Sequence, residues 1–307
     1  MSVLRYVPFT SVGENEELPS VVCLGKFDGV HIGHTKLLEE TEKMSKHLSA
    51  RSCVLCFFPS PADYFAKKTV RHVLTLEEKL DVFRKSGIDG AYICDFEKIY
   101  DYSPERFIDE VLIKCCSCIG AVCGFNYRFG YKASGKPEDL EGRFENFEKV
   151  PAVTVNGQTV STSLIKEKIE AGALEEANEM LGRPFSIAHT VVHGKSLGRK
   201  LGFPTLNHIF EEDRIVPRFG VYATTTEIDE KEYVSVTNVG VRPTVSSSQI
   251  VTCETHILNS NEDLYGKHIK VNFIKQLRGE KKFSSMDELS RAIAADVENT
   301  KIFFGLK

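Results

Sequence analysis

The sequence predicts an α/β protein in two parts: an N-terminal doubly wound parallel sheet, Rossmann-like, then a small antiparallel β-barrel with a C-terminal helix. Three observations carry this. Short apolar runs alternate with helical patterns from Val21 to Gly124, the spacing that builds parallel sheets. After Arg183 the pattern changes to closely spaced β-rich runs parted by Gly, Pro, Asn and Asp, as in antiparallel barrels. The 307 residues, 42% hydrophobic and 27% charged, suffice for two cores.

The elements follow in order. Val21–Gly25 reads as a buried strand, and Thr35–Leu48 as a helix with Leu37, Leu38, Thr41, Met44 and Leu48 on one face. Cys53–Phe58 is a second strand, ended by Pro-Ser-Pro. Thr75–Ser86 is helical, with Leu76, Leu80 and Phe83 inward, and Ala91–Phe96 is a third strand. Ser103–Cys116 opens with Ser-Pro and an early Glu, a helix start. Ile119–Gly124 is a fourth strand and Val150–Val155 a fifth. Ser161–Gly182 reads as one capped helix, which puts the boundary near residues 182–186 and the domains at 1–183 and 184–307. Barrel strands are expected at Ile187–His193, Val221–Ile228, Tyr233–Val239, Thr252–Leu258 and Ile269–Leu277. The last helix starts at Ser285, with Ser285 and Glu288 as a capping box.

Composition excludes some functions. A net charge of -4 argues against a broad nucleic-acid surface. No apolar run approaches the ~20 residues of a membrane span, and the start does not read as a signal peptide, so the cytoplasm is expected. The nine cysteines are expected to be reduced thiols. Cys53 and Cys56 fall inside a strand-like run, and Cys115, Cys116 and Cys118 lack a second ligand pair at zinc-finger spacing.

The stretch Cys23–His34 organises the first part. A buried strand stops at Gly25, a loop with Gly29 and Gly33 follows, and His31 and His34 stand just before a helix. Strand, glycine loop and helix N-terminus together make a phosphate site, and the histidines add donors for charge on a reacting phosphate. Two loop histidines with local hydrogen bonds remain the plain alternative, and as a metal pair they lack obvious partners. Ligands of such sheets bind beyond the carboxyl ends of the strands. Gly25–His34, Phe58–Pro61 and Gly124–Gly130 fall there. Phe27, Phe58, Phe65, Tyr127 and Phe129 cluster near this site, and some of them could stack a flat ring.

In the second part the strongest signal is Gly194–Asn207. Gly194, Lys195 and Lys200 mark a loop able to fold over phosphates. Thr205 and Asn207 alternate in an extended segment after Pro204, so both face one site. Hydroxyl and amide oxygens are hard ligands suited to Mg²⁺. A polar barrel turn is the plain alternative.

The stretch G-K-F-D-G-V-H-I-G-H resembles the signature of the HxGH nucleotidyltransferase superfamily. More narrowly it is similar to the adenylyltransferase half of bacterial bifunctional riboflavin kinase/FAD synthetases, as are F-F-P-S-P at Phe57–Pro61, G-F-N-Y-R-F-G at Gly124–Gly130 and S-T-S-L-I-K at Ser161–Lys166. Arg218–Tyr222, Thr237–Thr244, Glu254–Leu258, Asp263–Lys267 and Leu277–Phe283 resemble the kinase half in order. The resemblance implies ATP over Gly25, Phe27, His31, Gly33 and His34, its phosphates on Ser161, Thr162 and Lys166, and flavin or nucleotide held by Asn126 and Arg128. It implies a second ATP bound with Mg²⁺ through Thr205 and Asn207, Glu254 as the base for the ribityl hydroxyl, and Arg278 near the flavin. The family usually has Arg at Lys166 and Asp at Asn126; Lys lacks the planar fork that grips phosphate at two points.

The function expected is phosphorylation of riboflavin to FMN and adenylylation of FMN to FAD, both with ATP. One alternative is a single surviving activity, the kinase being the one expected to survive. The other is a non-catalytic flavin- or nucleotide-binding regulator. No nucleic acid or membrane is expected as partner, and an oligomer stays open.

Overall fold

The computed structural model describes residues 3–191, 202–242, 250–259, 264 and 266–306. They fall into two compact units, Met1–Thr162 and Ser163–Lys307.

The first unit is built on a six-stranded sheet. Its strands are β1 (Leu4–Pro8), β2 (Ser20–Leu24), β3 (Arg51–Phe57), β4 (Gly90–Cys94), β5 (Cys118–Gly124) and β6 (Asn146–Val150), in the order β1-β4-β3-β2-β5-β6. All neighbours run parallel except β1, which is antiparallel to β4 at the edge. The expected doubly wound sheet is therefore present. Strands β2 and β4 are buried at every residue, which is why they read as continuous apolar runs rather than alternating ones. From β2 the chain builds outward to β3 and β4, then returns to the other side of β2 with β5 and β6. The strand order reverses between β2 and β5, and such a switch point opens a crevice at the carboxyl ends.

The helices of this unit are α1 (Ser11–Glu14), α2 (Ile32–Leu48), α3 (Pro61–Phe65), α4 (Leu76–Lys85), α5 (Pro104–Arg106) and α6 (Pro137–Glu141). The helix expected over Ser103–Cys116 begins with α5 and continues as a π-helical stretch, Phe107–Cys115, whose Phe107, Ile108, Val111 and Leu112 are buried. The strand expected at Val150–Val155 is displaced: β6 ends at Val150, before Pro151, and a small hairpin of β7 (Thr154–Val155) and β8 (Gln158–Thr159) follows.

Two helices stand at the boundary of the units where one was expected. Helix α7 (Thr162–Ala171) stops at Gly172, and α8 (Leu174–Leu181) follows. Gly172 has φ +82°, a left-handed conformation that ends a helix. A six-stranded antiparallel, barrel-like sheet follows, made of β9 (Phe185–Thr190), β10 (Leu206–Ile209), β11 (Gly220–Ile228), β12 (Lys231–Arg242), β13 (Ile250–Ile257) and β14 (His268–Gly279), in the order β10-β13-β12-β11-β14-β9. Strand β10 was not foreseen. The terminal helix α9 (Met286–Phe303) is capped by Ser285, whose side chain accepts from Glu288 N as expected, but the Glu288 carboxylate accepts from Ser284 rather than from Ser285 N, so only half of the expected capping box forms.

One sheet face carries a chain of fully buried hydroxyls. Thr226, Ser235, Thr224, Thr237 and Thr255 are linked in that order by contacts of 2.8, 2.8, 2.8 and 3.0 Å. Each hydroxyl can donate or accept and each has at least one partner in the chain, so these polar atoms are buried with hydrogen bonds made. His208, also buried, is pushed down to about 3 by burial and by His189, and stays neutral. All nine cysteines are free, and all but Cys115 are buried. Cys53 and Cys56 stand three apart on β3, so their side chains leave opposite faces. Burial pushes Cys53 up to about 12 and Cys56 up to about 11, and neither is primed as a thiolate.

Candidate functional site

The first candidate site lies at the switch point. Helix α2 starts earlier than its apolar pattern suggests, at Ile32, because His31 caps it. His31 Nδ1 accepts from His34 N at 3.3 Å. An accepting Nδ1 fixes the neutral tautomer of His31 with its proton on Nε2. The His31 and His34 rings stack at 3.8 Å with 18° between planes, and both are nearly buried. Helix α2 has no acidic residue in its first turn, so nothing there competes with an anion for the positive end of its dipole.

The loop before it is strained. Phe27 and Val30 hold φ of 49° and 40°, a conformation that non-glycine residues rarely adopt. Phe27 is fully buried, its ring 5.0 Å from His34 and edge-on to Phe83 of α4 at 5.3 Å. Gly25 makes room for it: a Cβ there would fall 2.8 Å from Cζ of Phe27. Gly33 lies against His31 in the same way, a Cβ meeting Cε1 at 3.1 Å. Phe27 thus supports the two histidines from below, as a packed wall.

The other residues expected here lie on other segments of the chain. Asn126 and Arg128 are exposed in the loop after β5, beside the switch point, with Arg128 donating to the Tyr127 carbonyl at 2.9 Å. Ser161 and Thr162 are half-buried at the start of α7, and Lys166 sits one turn further along that helix. Of the aromatics expected near the site, Phe27, Tyr127 and Phe129 are core residues. Phe58 and Phe65 are 58% and 66% exposed and are available for stacking.

Sequence reasoning missed one feature. His72 sits between two carboxylates, its Nδ1 3.2 Å from Asp28 Oδ1 and its Nε2 2.8 Å from Asp63 Oδ1. Asp28 belongs to the motif loop and also accepts from Val73 N at 3.1 Å. The hydrogen bond to Asp28 raises His72 above the ordinary 6.5, burial opposes, and Asp63 adds to the rise. Burial pushes Asp63 up, but bonds from Ser60 and His72 outweigh it and hold this carboxyl low. The Asp-Gly of the motif was the available signal; nothing in the spacing names His72 as its partner.

The second candidate site lies on the other face of the barrel-like sheet. Strand register sets out a row: Asn207 opposite Glu254, Glu254 opposite Asn238, Asn238 opposite Val221, and Val221 opposite Arg278. Directly paired residues share a face, so Asn207, Glu254 and Arg278 share one as well. Thr205 is two residues before Asn207 in extended chain and falls on the same side. Asn207 is buried, and its Nδ2 donates to the Thr205 carbonyl at 3.3 Å. Arg278 is already engaged: it grips both oxygens of Asp296 on α9, at 2.9 and 2.8 Å. Gly194, Lys195 and Lys200 lie outside the described residues. Among the described residues no group of three His, Cys, Asp or Glu side chains is set to hold a metal ion.

Comparison with known proteins decides the family. The FAD synthetase family matches residues 14–164, and the riboflavin kinase family matches residues 181–304. A bifunctional riboflavin kinase/FMN adenylyltransferase from Listeria monocytogenes is 32% identical over 99% of this chain and 98% of that one. The chain belongs to the bifunctional riboflavin kinase/FMN adenylyltransferase family. Proteins of the same name from Bacillus subtilis and Escherichia coli K12 are 31% and 33% identical, covering 95% and 93% of this chain and 94% and 93% of theirs. A crystal structure described as a macrolide-efflux protein from Streptococcus pneumoniae has a TM-score of 0.85 and 30% identity, covering 92% of this chain and 94% of that one. Among the described residues, no helix is long and apolar enough to cross a membrane.

Proposed function

We propose that the chain carries out both reactions of its family: ATP-dependent phosphorylation of riboflavin to FMN, and adenylylation of FMN to FAD with release of pyrophosphate. The observation that carries this is likeness to bifunctional relatives along nearly the whole chain, with an FAD synthetase domain and a riboflavin kinase domain both matched in it.

In adenylyl transfer, an oxygen of the FMN phosphate attacks the α-phosphorus of ATP and pyrophosphate leaves. Such chemistry asks the protein for placement and charge stabilisation. Gly25, Phe27, His31, Gly33 and His34 are assigned to ATP, with Ser161, Thr162 and Lys166 on its phosphates. The Nε2–H of His31 and the ring of His34 act as donors to phosphate oxygens. Asn126 and Arg128 are assigned to flavin or nucleotide, and exposed Phe58 and Phe65 offer faces for a ring.

In the kinase reaction, the terminal ribityl hydroxyl attacks the γ-phosphorus and ADP leaves. Glu254 is assigned as the base that accepts the hydroxyl proton. Hard oxygens from Thr205 and Asn207 beside the Glu254 carboxylate fit Mg²⁺, and Thr205 and Asn207 would hold it. The ion supplies neutralisation of phosphate charge when bound. Gly194, Lys195 and Lys200 complete the assignment as a phosphate loop, and Arg278 is placed near the flavin. The functional domains are 1–183 and 184–307, and the setting is the cytoplasm, which keeps thiols reduced.

The test is a product assay. Purified protein is incubated with riboflavin, ATP and Mg²⁺, and the flavins are separated. FMN followed by FAD is expected; FMN alone refutes bifunctionality, and neither product refutes catalysis altogether.

A further inference from the structure

We propose that His72 is a positioning residue for FAD synthesis: by bridging Asp28 and Asp63 it locks the loop after β2 to the segment after β3. This rests on placing the adenylyltransferase site at the motif loop.

The geometry is specific. Asp28 stands between strained Phe27 and Gly29, four residues from the end of β2 and three before His31. Asp63 is in the first turn of α3, just past Phe58–Pro61, and its Oδ2 accepts from Ser60 N and Oγ at 3.0 and 2.7 Å. One imidazole therefore joins two of the three loops that ring the carboxyl ends of the sheet. Their side chains are 17%, 16% and 30% exposed for His72, Asp28 and Asp63, so solvent screens the pair less than at an open surface.

The chemistry requires a charged ring. An ionised carboxylate only accepts, so a histidine bonded to carboxylates through both nitrogens must donate from both. Only the imidazolium does so. The charges facing the ring are Asp28 from the loop after β2 and Asp63 from α3; Lys67, Lys68 and Arg71 of its own segment are exposed. The folded ring is raised above 6.5, so the bridge is complete below that pH. It is lost as pH rises through the higher folded value, where neutral imidazole keeps one N–H for two acceptors.

His72 touches no reacting atom in this reading; it holds Asp28, and through Asp28 the loop that carries His31. A loosened loop lowers affinity for ATP and FMN before it changes the chemical step.

The experiment uses the full chain with FMN and ATP, measuring kcat and KM separately from about pH 6 to pH 9. For the native chain, KM should rise above pH 6.5 with a one-proton step. His72→Gln should raise KM about tenfold at low pH and remove that step, with riboflavin phosphorylation unchanged as the internal standard of intact protein. His72→Arg, which keeps a charge and several donors, should recover affinity and hold it at alkaline pH. If His72→Gln damages folding, Asp63→Asn must raise KM in the same way while removing one charge from the bridge. The proposal is overturned if His72→Gln keeps the native KM and its alkaline step, or if the native KM is flat across this range. His34→Ala separates the two levels. If it spares FAD synthesis, the site itself is misplaced; if it abolishes FAD synthesis while His72 variants stay native, only the bridge falls.

Discussion

Arg278 on β14 and Asp296 on α9 face each other across two parallel hydrogen bonds, 2.9 and 2.8 Å long. Asp296 is 5% exposed, and that guanidinium satisfies both of its oxygens. The pair ties the terminal helix to the sheet at the end of the row that contains Glu254 and Asn207. Val221, Val236 and Leu258 pack with Val297 of the same helix, so the helix is held by apolar contact as well. Asp296→Ala should cost about 1–2 kcal/mol of stability, the scale of a lost charged hydrogen-bond pair, because the stranded Arg278 side chain is 29% exposed and can turn to water. It should also raise KM for riboflavin more than it lowers kcat, since Arg278 loses its fixed orientation. Denaturant unfolding and kinase kinetics check both parts; unchanged stability would show that the pair is ornamental to the helix.

Glu254 supplies a separate prediction. It lies between Asn207 and Asn238 in register and is half-buried. Glu254→Gln keeps shape and removes the proton acceptor. FMN formation from riboflavin should fall at least about a hundredfold, within the range expected for a general base. Riboflavin binding should persist, and FAD formation from supplied FMN should continue at the native rate. Retained FMN formation would remove Glu254 from the mechanism.

Much of this was readable beforehand, for identifiable reasons. Strands β2 and β4 are buried on both faces, so their apolar runs stood out against the helices. The edge strand β1 carries no continuous apolar run, because none of Leu4–Pro8 is fully buried and Pro8 ends it. A four-residue strand such as β10 carries too little alternation to register. Gly172 falls inside the amphipathic pattern of Ser161–Gly182, and its left-handed φ, which divides that pattern into two helices, shows only in the fold. The motif loop was legible because glycines and histidines are rare at such spacing. The partnership of Asp28 and Asp63 with His72 was not, since Asp28 lies 44 residues from His72 and no spacing links it to the nearer Asp63.

The buried hydroxyl chain yields a stability prediction. Thr224 occupies its middle, bonded to Ser235 and Thr237 at 2.8 Å each. Thr224→Val keeps the volume and deletes the hydroxyl. Two buried hydroxyls then each lose a partner, a cost of about 1–3 kcal/mol. Replacing Thr224, Ser235 and Thr237 together by apolar residues of similar size should cost less than the sum of the single changes, because no polar atom among the three is left stranded. Urea unfolding of the single and combined variants measures this; additive losses would rule out a coupled chain.

Gly25 tests how the motif loop is built. It ends β2, and a side chain there would press into the Phe27 ring at 2.8 Å. That ring cannot retreat easily: it is fully buried, edge-on to Phe83 and 5.0 Å from His34. Gly25→Ala therefore overpacks the wall beneath the histidines, at about 1–3 kcal/mol, and should displace His34 rather than simply lower stability. FAD formation from FMN should drop about a hundredfold, the scale for misplacing a reacting group by about an ångström. Riboflavin phosphorylation should be unaffected, because Gly25 lies in the other unit. Gly25→Ala combined with Phe27→Leu gives the new methyl room and should recover part of the lost stability. If activity returns with stability, Phe27 acts only as a packed wall; if stability returns without activity, its ring is needed by the nucleotide as well.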